Sequence, residues 1–276
     1  MLCPESTVSM HSTADIRMGN TPSNRLGFLG APVDSLSMGE AIDRLQNFIE
    51  SRSPHLVVAF NVPKFWRMKR DSRLREIIET ADMILPERVI VLASRLCGTP
   101  LKAYIGNDRL TQAFLPLATK RGYRLFFLGT RSWALERMTA RLREQFPGIT
   151  VAGCHHGFFS DSEAAKVAER IRASQPDVLF VGMGTPRQEY WMQSYARHLS
   201  VPVVIGVGGT LDVLAGIKLD CPFWIRTMGL EWVYRLVEDP RGKFRRYMAA
   251  LPWFVWVLLI KGVLTRGLPT RNVADN

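Results

Sequence analysis

The densest set of residues able to do chemistry is the octapeptide Gly182-Met183-Gly184-Thr185-Pro186-Arg187-Gln188-Glu189, directly after the apolar run Val178–Val181. Two glycines let backbone N–H groups approach a phosphate, and Arg187 and Gln188 offer donors to a diphosphate or to sugar hydroxyls. A plain strand-to-helix turn would use Gly and Pro in the same way. The arrangement recurs at Gly206-Val207-Gly208-Gly209-Thr210-Leu211-Asp212, where Asp212 can accept from a ribose or sugar hydroxyl or can cap a helix. Gly129-Thr130, after Phe126–Leu128, is a third candidate wall for one nucleotide pocket. Neither GxGxxG with an acidic residue about 20 positions on nor a Walker GxxxxGK[ST] loop is present, which argues against dinucleotide binding and P-loop phosphoryl transfer. The adjacent pair His155-His156 has no third ligand at a usable spacing and reads as structural, so no metal site is expected.

These loops need elements to hold them. His55–Phe60, Tyr123–Leu128, Val178–Val181 and Val201–Val207 are short β-branched or aromatic runs. Between them Ser132–Gln145 and Ser162–Ser174 place apolar residues three and four apart, the latter with Ser160 or Asp161 as cap. From Arg25 to Asp212 this alternation predicts βαβ units, and so an α/β fold: one Rossmann-like domain with a mainly parallel sheet. Ligands of such sheets bind outside the carboxyl ends of the strands, where the loops above fall.

The expected division is a disordered leader over 1–25, the Rossmann-like core over 26–218, a basic-aromatic helical appendage over 219–265 and a flexible tail over 266–276. The leader is polar and lacks the apolar stretch of a signal peptide. After Pro222 the chain carries Trp224, Trp232, Trp253 and Trp256 and nine basic residues against four acidic ones. The apolar run Leu251–Ile260 is ten residues long, half of the roughly 20 needed to span a bilayer. It suits an interfacial helix that docks on a membrane, or an interface between copies in a homo-oligomer.

With 36 Lys and Arg against 25 Asp and Glu, the chain has a formal charge of +11 and calls for an anionic partner. Nucleic acid is the competing partner, suggested by the run Lys64–Arg75; without an accompanying nucleic-acid motif, that run is expected to be the solvated face of a helix. The four cysteines lie far apart, consistent with a reducing cytosol and no disulfide framework.

Taken together, the motifs resemble those of the WecG/TagA/CpsF family of bacterial glycosyltransferases, over about Leu56 to Tyr247. The pieces are Ala81-Asp82 with Pro86-Glu87, Ala93-Ser94-Arg95-Leu96, Gly106-Asn107-Asp108, Phe146-Pro147-Gly148, Gly182 to Trp191, Gly208-Gly209 with Asp212 and Gly216, and Pro222, Trp224, Arg226, Gly229 and Arg235. The resemblance implies a metal-independent, inverting transferase needing no cofactor. It would pass a hexose or N-acetylhexosamine from a UDP-sugar to a polyprenyl-diphosphate-linked sugar, in polysaccharide assembly on the inner face of the cytoplasmic membrane. It also implies that the appendage docks on the membrane and helps close the site.

Carried over residue by residue, Glu87 stands as the base, where the family usually shows Asp-Gly and this chain shows Glu87-Arg88; Asn61 sits in a segment that usually begins with Thr and here begins with Ala59. Asp108 or Asp82 are substitute bases. Gly129, Gly182, Gly184, Pro186, Arg187, Gln188, Glu189, Gly208, Gly209, Asp212, Arg226 and Arg235 are the expected donor-binding set. Asp220 stands where the family usually has Arg, and with Ala59 and Glu87 it motivates an alternative, a non-catalytic UDP-sugar-binding regulator.

Overall fold

The computed structural model describes residues 24–219, eight positions between 221 and 237, and 240–264. Six strands form one sheet: β3 (His55–Phe60), β4 (Met83–Pro86), β5 (Arg124–Gly129), β6 (Thr150–His155), β7 (Val178–Gly182) and β8 (Val203–Gly206), ordered β4-β3-β8-β7-β5-β6. Every pairing within it is parallel. Alternate residues of each strand therefore point to opposite faces, and both faces are apolar because both are covered.

On one face Val57, Phe127, Phe180 and Ile205 pack under α1 (Met38–Ser51), α5 (Asn107–Arg121), α6 (Ser132–Gln145) and α9 (Thr210–Leu214). The opposite face divides. Val58, Phe60 and Ile84 meet α2 (Val62–Met68), α3 (Ser72–Thr80) and α4 (Arg88–Leu96). Phe126, Leu179 and Val204 meet α7 (Asp161–Ala173) and α8 (Arg187–Leu199). The Ser160 cap is present, with Glu163 reciprocating as a capping box on α7.

Three features depart from the expected elements. The first is a two-stranded antiparallel hairpin, β1 (Arg25–Phe28) and β2 (Ala31–Asp34), turned through Leu29 and Gly30 at φ 51° and 77°. Arg25 thus belongs to the core and not to a leader. Its guanidinium pairs with the fully buried Asp34 at 2.9 Å and donates to the carbonyls of Ala81 and Asp82. The second is that Lys64–Arg75 is two helices broken before Asp71, whose side chain caps α3 through Leu74 N–H at 3.0 Å. Lys64, Phe65 and Met68 are buried there while Arg67, Arg70, Arg73 and Arg75 are exposed, so the solvated face holds the arginines but not Lys64.

The third concerns the carboxylates. At the amino edge of the sheet they receive strand N–H groups: Asp34 from Ile84 at 2.7 Å, Asp82 from Leu56 at 2.7 Å and Asp177 from Arg124 at 2.8 Å. Asp82 is therefore at the opposite end of the sheet from the candidate loops and is excluded as a base; burial pushes its carboxyl pKa up.

The appendage contributes α10 (Pro240–Leu264), which packs against α2 and α4. Ala250, Phe254 and Val257 are buried, with Phe254 set against the rings of Phe28 and Phe65 at centroid distances of 6.5 and 6.1 Å. Its other side exposes Val255, Trp256, Leu259 and Ile260. Among the described residues no helix is long and apolar enough to cross a membrane. If Phe254 is what ties α10 to the core, Phe254→Ala should lower unfolding free energy by about 3–5 kcal/mol. Urea denaturation checks this, and a loss under about 1 kcal/mol would show that α10 is a dispensable neighbour.

Candidate functional site

The carboxyl ends of the strands open into a cleft of about 620 Å³. The end of β3 supplies Asn61, whose side chain does two things. Its Oδ1 accepts from Lys64 N–H at 2.9 Å and so caps α2, while its Nδ2 donates to Glu87 Oε1 at 2.9 Å. Glu87 leaves β4 and sits at the N-cap of α4, but its carboxylate makes no capping bond there. The carboxylate is held toward β3 instead, with the backbone fixed by Glu87 N–H to Phe60 O at 2.8 Å. Asp108 lies buried in the first turn of α5, also on the cleft wall. Asp108 Oδ1 and the Tyr104 hydroxyl both crowd Gly106, where an added Cβ would meet them at 2.8 and 2.2 Å. The three expected catalytic residues thus share one cleft, with Glu87 and Asn61 in direct contact.

The other wall is made by the ends of β5 and β7 and the turn after β8, where Gly129, Gly182 and Gly208 stack backbone on backbone. A Cβ on Gly129 would lie 2.4 Å from Gly182 O, and one on Gly182 would lie 2.6 Å from Gly208 O. Only glycine permits that approach. Gly182, Gly184, Gly208 and Gly209 line the cleft; Gly129, with its turn packed against Gly182, does not.

In the octapeptide the structure separates letters that the motif ran together. Pro186, after a cis peptide bond, and the fully buried Glu189 stand behind the wall. Glu189 Oε1 receives Lys64 Nζ at 2.8 Å, Gln188 Nε2 at 2.7 Å and the Thr185 hydroxyl at 3.3 Å. Gln188 Oε1 in turn accepts from Gly184 N–H at 3.2 Å, so that donor is already engaged. Gln188 and Glu189 shape the loop from within, and Arg187 is its outward residue, exposed on the cleft wall with one N–H bonded to the carbonyl of Phe159. Asp212 is likewise engaged through both oxygens, by the Thr130 hydroxyl and by Lys218 Nζ at 2.7 Å. Arg226 and Arg235, with Asp220, lie outside the described residues.

Several lining residues were not anticipated. Asn107 donates to Gly206 O at 2.8 Å and keeps Oδ1 buried with no partner among the described residues. Arg88 lies over the Tyr104 ring at 5.8 Å. Trp133 and Phe158, 51% and 66% exposed, stand at the rim. Of these, Asn107 and Arg88 sat in motifs that could have flagged them, Gly106-Asn107-Asp108 and Glu87-Arg88. Six cationic side chains (Lys64, Arg67, Arg88, Arg131, Arg187, Lys218) face three carboxylates (Glu87, Asp108, Asp212) in the lining, which makes the described part of the cleft electropositive. His155 and His156 stay local, His155 Nδ1 bonding to the His156 carbonyl at 2.7 Å. Among the described residues no three His, Cys, Asp or Glu side chains converge as a metal would require.

Residues 26–267 match the model of the glycosyl transferase family WecG/TagA/CpsF. The chain belongs to this family. Among the similar proteins is an N-acetylglucosaminyldiphosphoundecaprenol N-acetyl-β-D-mannosaminyltransferase of Bacillus spizizenii, 30% identical over 244 residues that cover 88% of this chain and 91% of the relative. A protein of the same description from Staphylococcus aureus is 30% identical over 218 residues, 78% of this chain and 85% of the relative. Membership of the WecG/TagA/CpsF family fits the cleft at the sheet's carboxyl edge and spans both the core and α10.

The ion pair of Lys64 and Glu189, 2% and 0% exposed, yields a prediction about the site's frame. Lys64→Met strands a buried carboxylate and should cost about 3–5 kcal/mol in urea unfolding, whereas adding Glu189→Leu should recover much of the loss. A double variant no more stable than Lys64→Met would show that Glu189 matters through Thr185 and Gln188 and not through the ion pair.

Proposed function

We propose that this chain is an inverting glycosyltransferase that moves a hexose or N-acetylhexosamine from a UDP-sugar to a polyprenyl-diphosphate-linked sugar. The observation that carries the reading is the Asn61–Glu87 contact on one wall of a cleft whose other wall is glycine turns and cations. Family membership supports it. So do the relatives' names, which specify N-acetylmannosamine transfer to N-acetylglucosaminyl-diphosphoundecaprenol.

In this reading Glu87 takes the proton from the acceptor hydroxyl as its oxygen bonds to the anomeric carbon. The bond from that carbon to the donor phosphate oxygen breaks on the opposite face of the ring, and UDP leaves with the electron pair. Asn61 holds the carboxylate toward the acceptor and, being neutral, leaves its charge intact. The charge growing on UDP is met by Arg187, by Lys218, and by backbone N–H groups of the Gly208-Gly209 turn. Arg226 and Arg235 are assigned to the same anion from the family likeness. No step calls on a metal.

The exposed stripe Val255, Trp256, Leu259 and Ile260 on α10 fits a membrane surface, with rings and aliphatic side chains among the headgroups. In this reading the enzyme works at the cytoplasmic face, where a lipid-linked acceptor presents its sugar.

The deciding assay offers UDP-N-acetylmannosamine and a short-chain polyprenyl-diphosphate N-acetylglucosamine, with EDTA present, and reads UDP release. Acceptor-dependent release is expected. Glu87→Gln should lower turnover by roughly 10²- to 10⁴-fold while UDP affinity and melting temperature hold; turnover within a few-fold of the parent would dismiss Glu87 as base. UDP-sugar binding without acceptor-dependent release from any donor tried would replace the enzyme with a regulator. Separately, Trp256→Glu with Leu259→Glu should weaken flotation with anionic vesicles at least several-fold, and unchanged flotation would remove α10 from the membrane contact.

A further inference from the structure

The scheme above uses Glu87 and Asn61 on the acceptor wall but leaves the neighbouring cation, Arg88, without a task. Arg88 opens α4 directly after Glu87 and lines the same cleft. Its guanidinium lies over the ring of Tyr104, 5.8 Å from the centroid, and its Nε is shut away from solvent with no acceptor among the described residues. No carboxylate among the described residues forms an ion pair with it. A planar fork held over an aromatic ring beside a catalytic carboxylate is arranged to receive an anion from outside the chain.

Which anion follows from position. Inversion puts the donor's diphosphate on the face of the sugar away from Glu87, toward Arg187 and Lys218 at the ends of β7 and β8. Arg88, next to Glu87 in the chain, lies on the acceptor's side. The same edge of the molecule carries the apolar surface: α4 packs against α10, which brings Tyr247 to the cleft wall and exposes Trp256 and Leu259. An acceptor that puts its sugar hydroxyl at Glu87 and its lipid toward α10 carries its own diphosphate between the two. We propose that Arg88 binds the acceptor's diphosphate and makes this anion, and not the lipid alone, a requirement for efficient transfer. The inference rests on the transferase reading above.

The test compares two acceptors of the same sugar, farnesyl-diphosphate N-acetylglucosamine and octyl N-acetylglucosaminide, the second lacking the diphosphate. With UDP-N-acetylmannosamine as donor, Arg88→Gln should lower kcat/KM on the diphosphate acceptor by roughly 10- to 100-fold, mostly through KM. On the octyl glycoside the loss should stay within about threefold, and the Kd for UDP should not move. Arg88→Lys keeps the charge without the fork and should fall between; it is the variant read if Arg88→Gln does not fold. Equal losses on both acceptors, no loss on either, or weakened UDP binding would overturn the assignment, the last by moving Arg88 to the donor's diphosphate. Failure of the unsubstituted chain to turn over either acceptor would instead reject the transferase reading itself.

Discussion

The ion pair between Lys64 and Glu189 holds the two walls of the cleft to one another. Lys64 sits in α2, the helix whose N-terminus Asn61 caps, and Asn61 is the residue that holds Glu87. Glu189 gathers Thr185 and Gln188, and Gln188 holds the amide of Gly184. A continuous set of bonds therefore runs from the carboxylate at the end of β4 to the glycine turn after β7, passing through two charges almost wholly removed from water. Burying both costs several kcal/mol in desolvation, offset by their attraction and by the hydrogen bonds around Glu189. A pair of apolar side chains could fill that space with equal stability, yet would leave Thr185, Gln188 and the Gly184 turn without their anchor. The ion pair is therefore best understood as fixing geometry rather than as adding net stability.

The sheet treats its two ends differently, and the difference places the site. At the amino edge, Asp34, Asp82 and Asp177 take up N–H groups that open strands β4, β3 and β5, and arginines neutralise two of them. That edge is closed by charge. At the carboxyl edge, Gly129, Gly182 and Gly208 bring successive turns into backbone contact, leaving no side chain to fill the space above them. Carboxylates at one edge and glycines at the other make a sheet that is sealed below and open above.

This asymmetry explains what could be read from the sequence. The βαβ rhythm was legible because β3 is an unbroken apolar run after His55 and α6 spaces its apolar residues three and four apart, and Gly182 to Glu189 stood out because two glycines and several side-chain donors follow directly on an apolar strand. The hairpin of β1 and β2 was not: its strands are four residues each, and Leu29 is an unusual residue for a turn position at positive φ. Lys64 was hidden in a basic run, where a lysine reads as solvated, because its partner lies 125 residues away and no local pattern announces a buried ion pair. Glu189 and Pro186 were legible as motif letters, but the letters do not say which side of a loop faces the ligand. Asp82 and Glu87 look equivalent in sequence, yet four residues of β4 separate them and place them at opposite ends of the sheet.

The charge in the cleft can be sorted by how much of it is spent internally. Lys64 is consumed by Glu189, Lys218 shares Asp212, and Arg67 shares Asp71. Glu87 is steadied by a neutral amide, which leaves its charge uncompensated by that contact. Arg88, Arg131 and Arg187 have no carboxylate partner among the described residues, and they are distributed over both walls. Two substrates that each carry a diphosphate need cations on both walls, whereas a single nucleotide would need them on one. The formal charge of +11 adds a long-range term that favours anionic partners of any kind. Because that term is screened within about 8 Å at physiological salt while the cleft cations act at contact distance, recognition depends on where the arginines stand more than on how many there are.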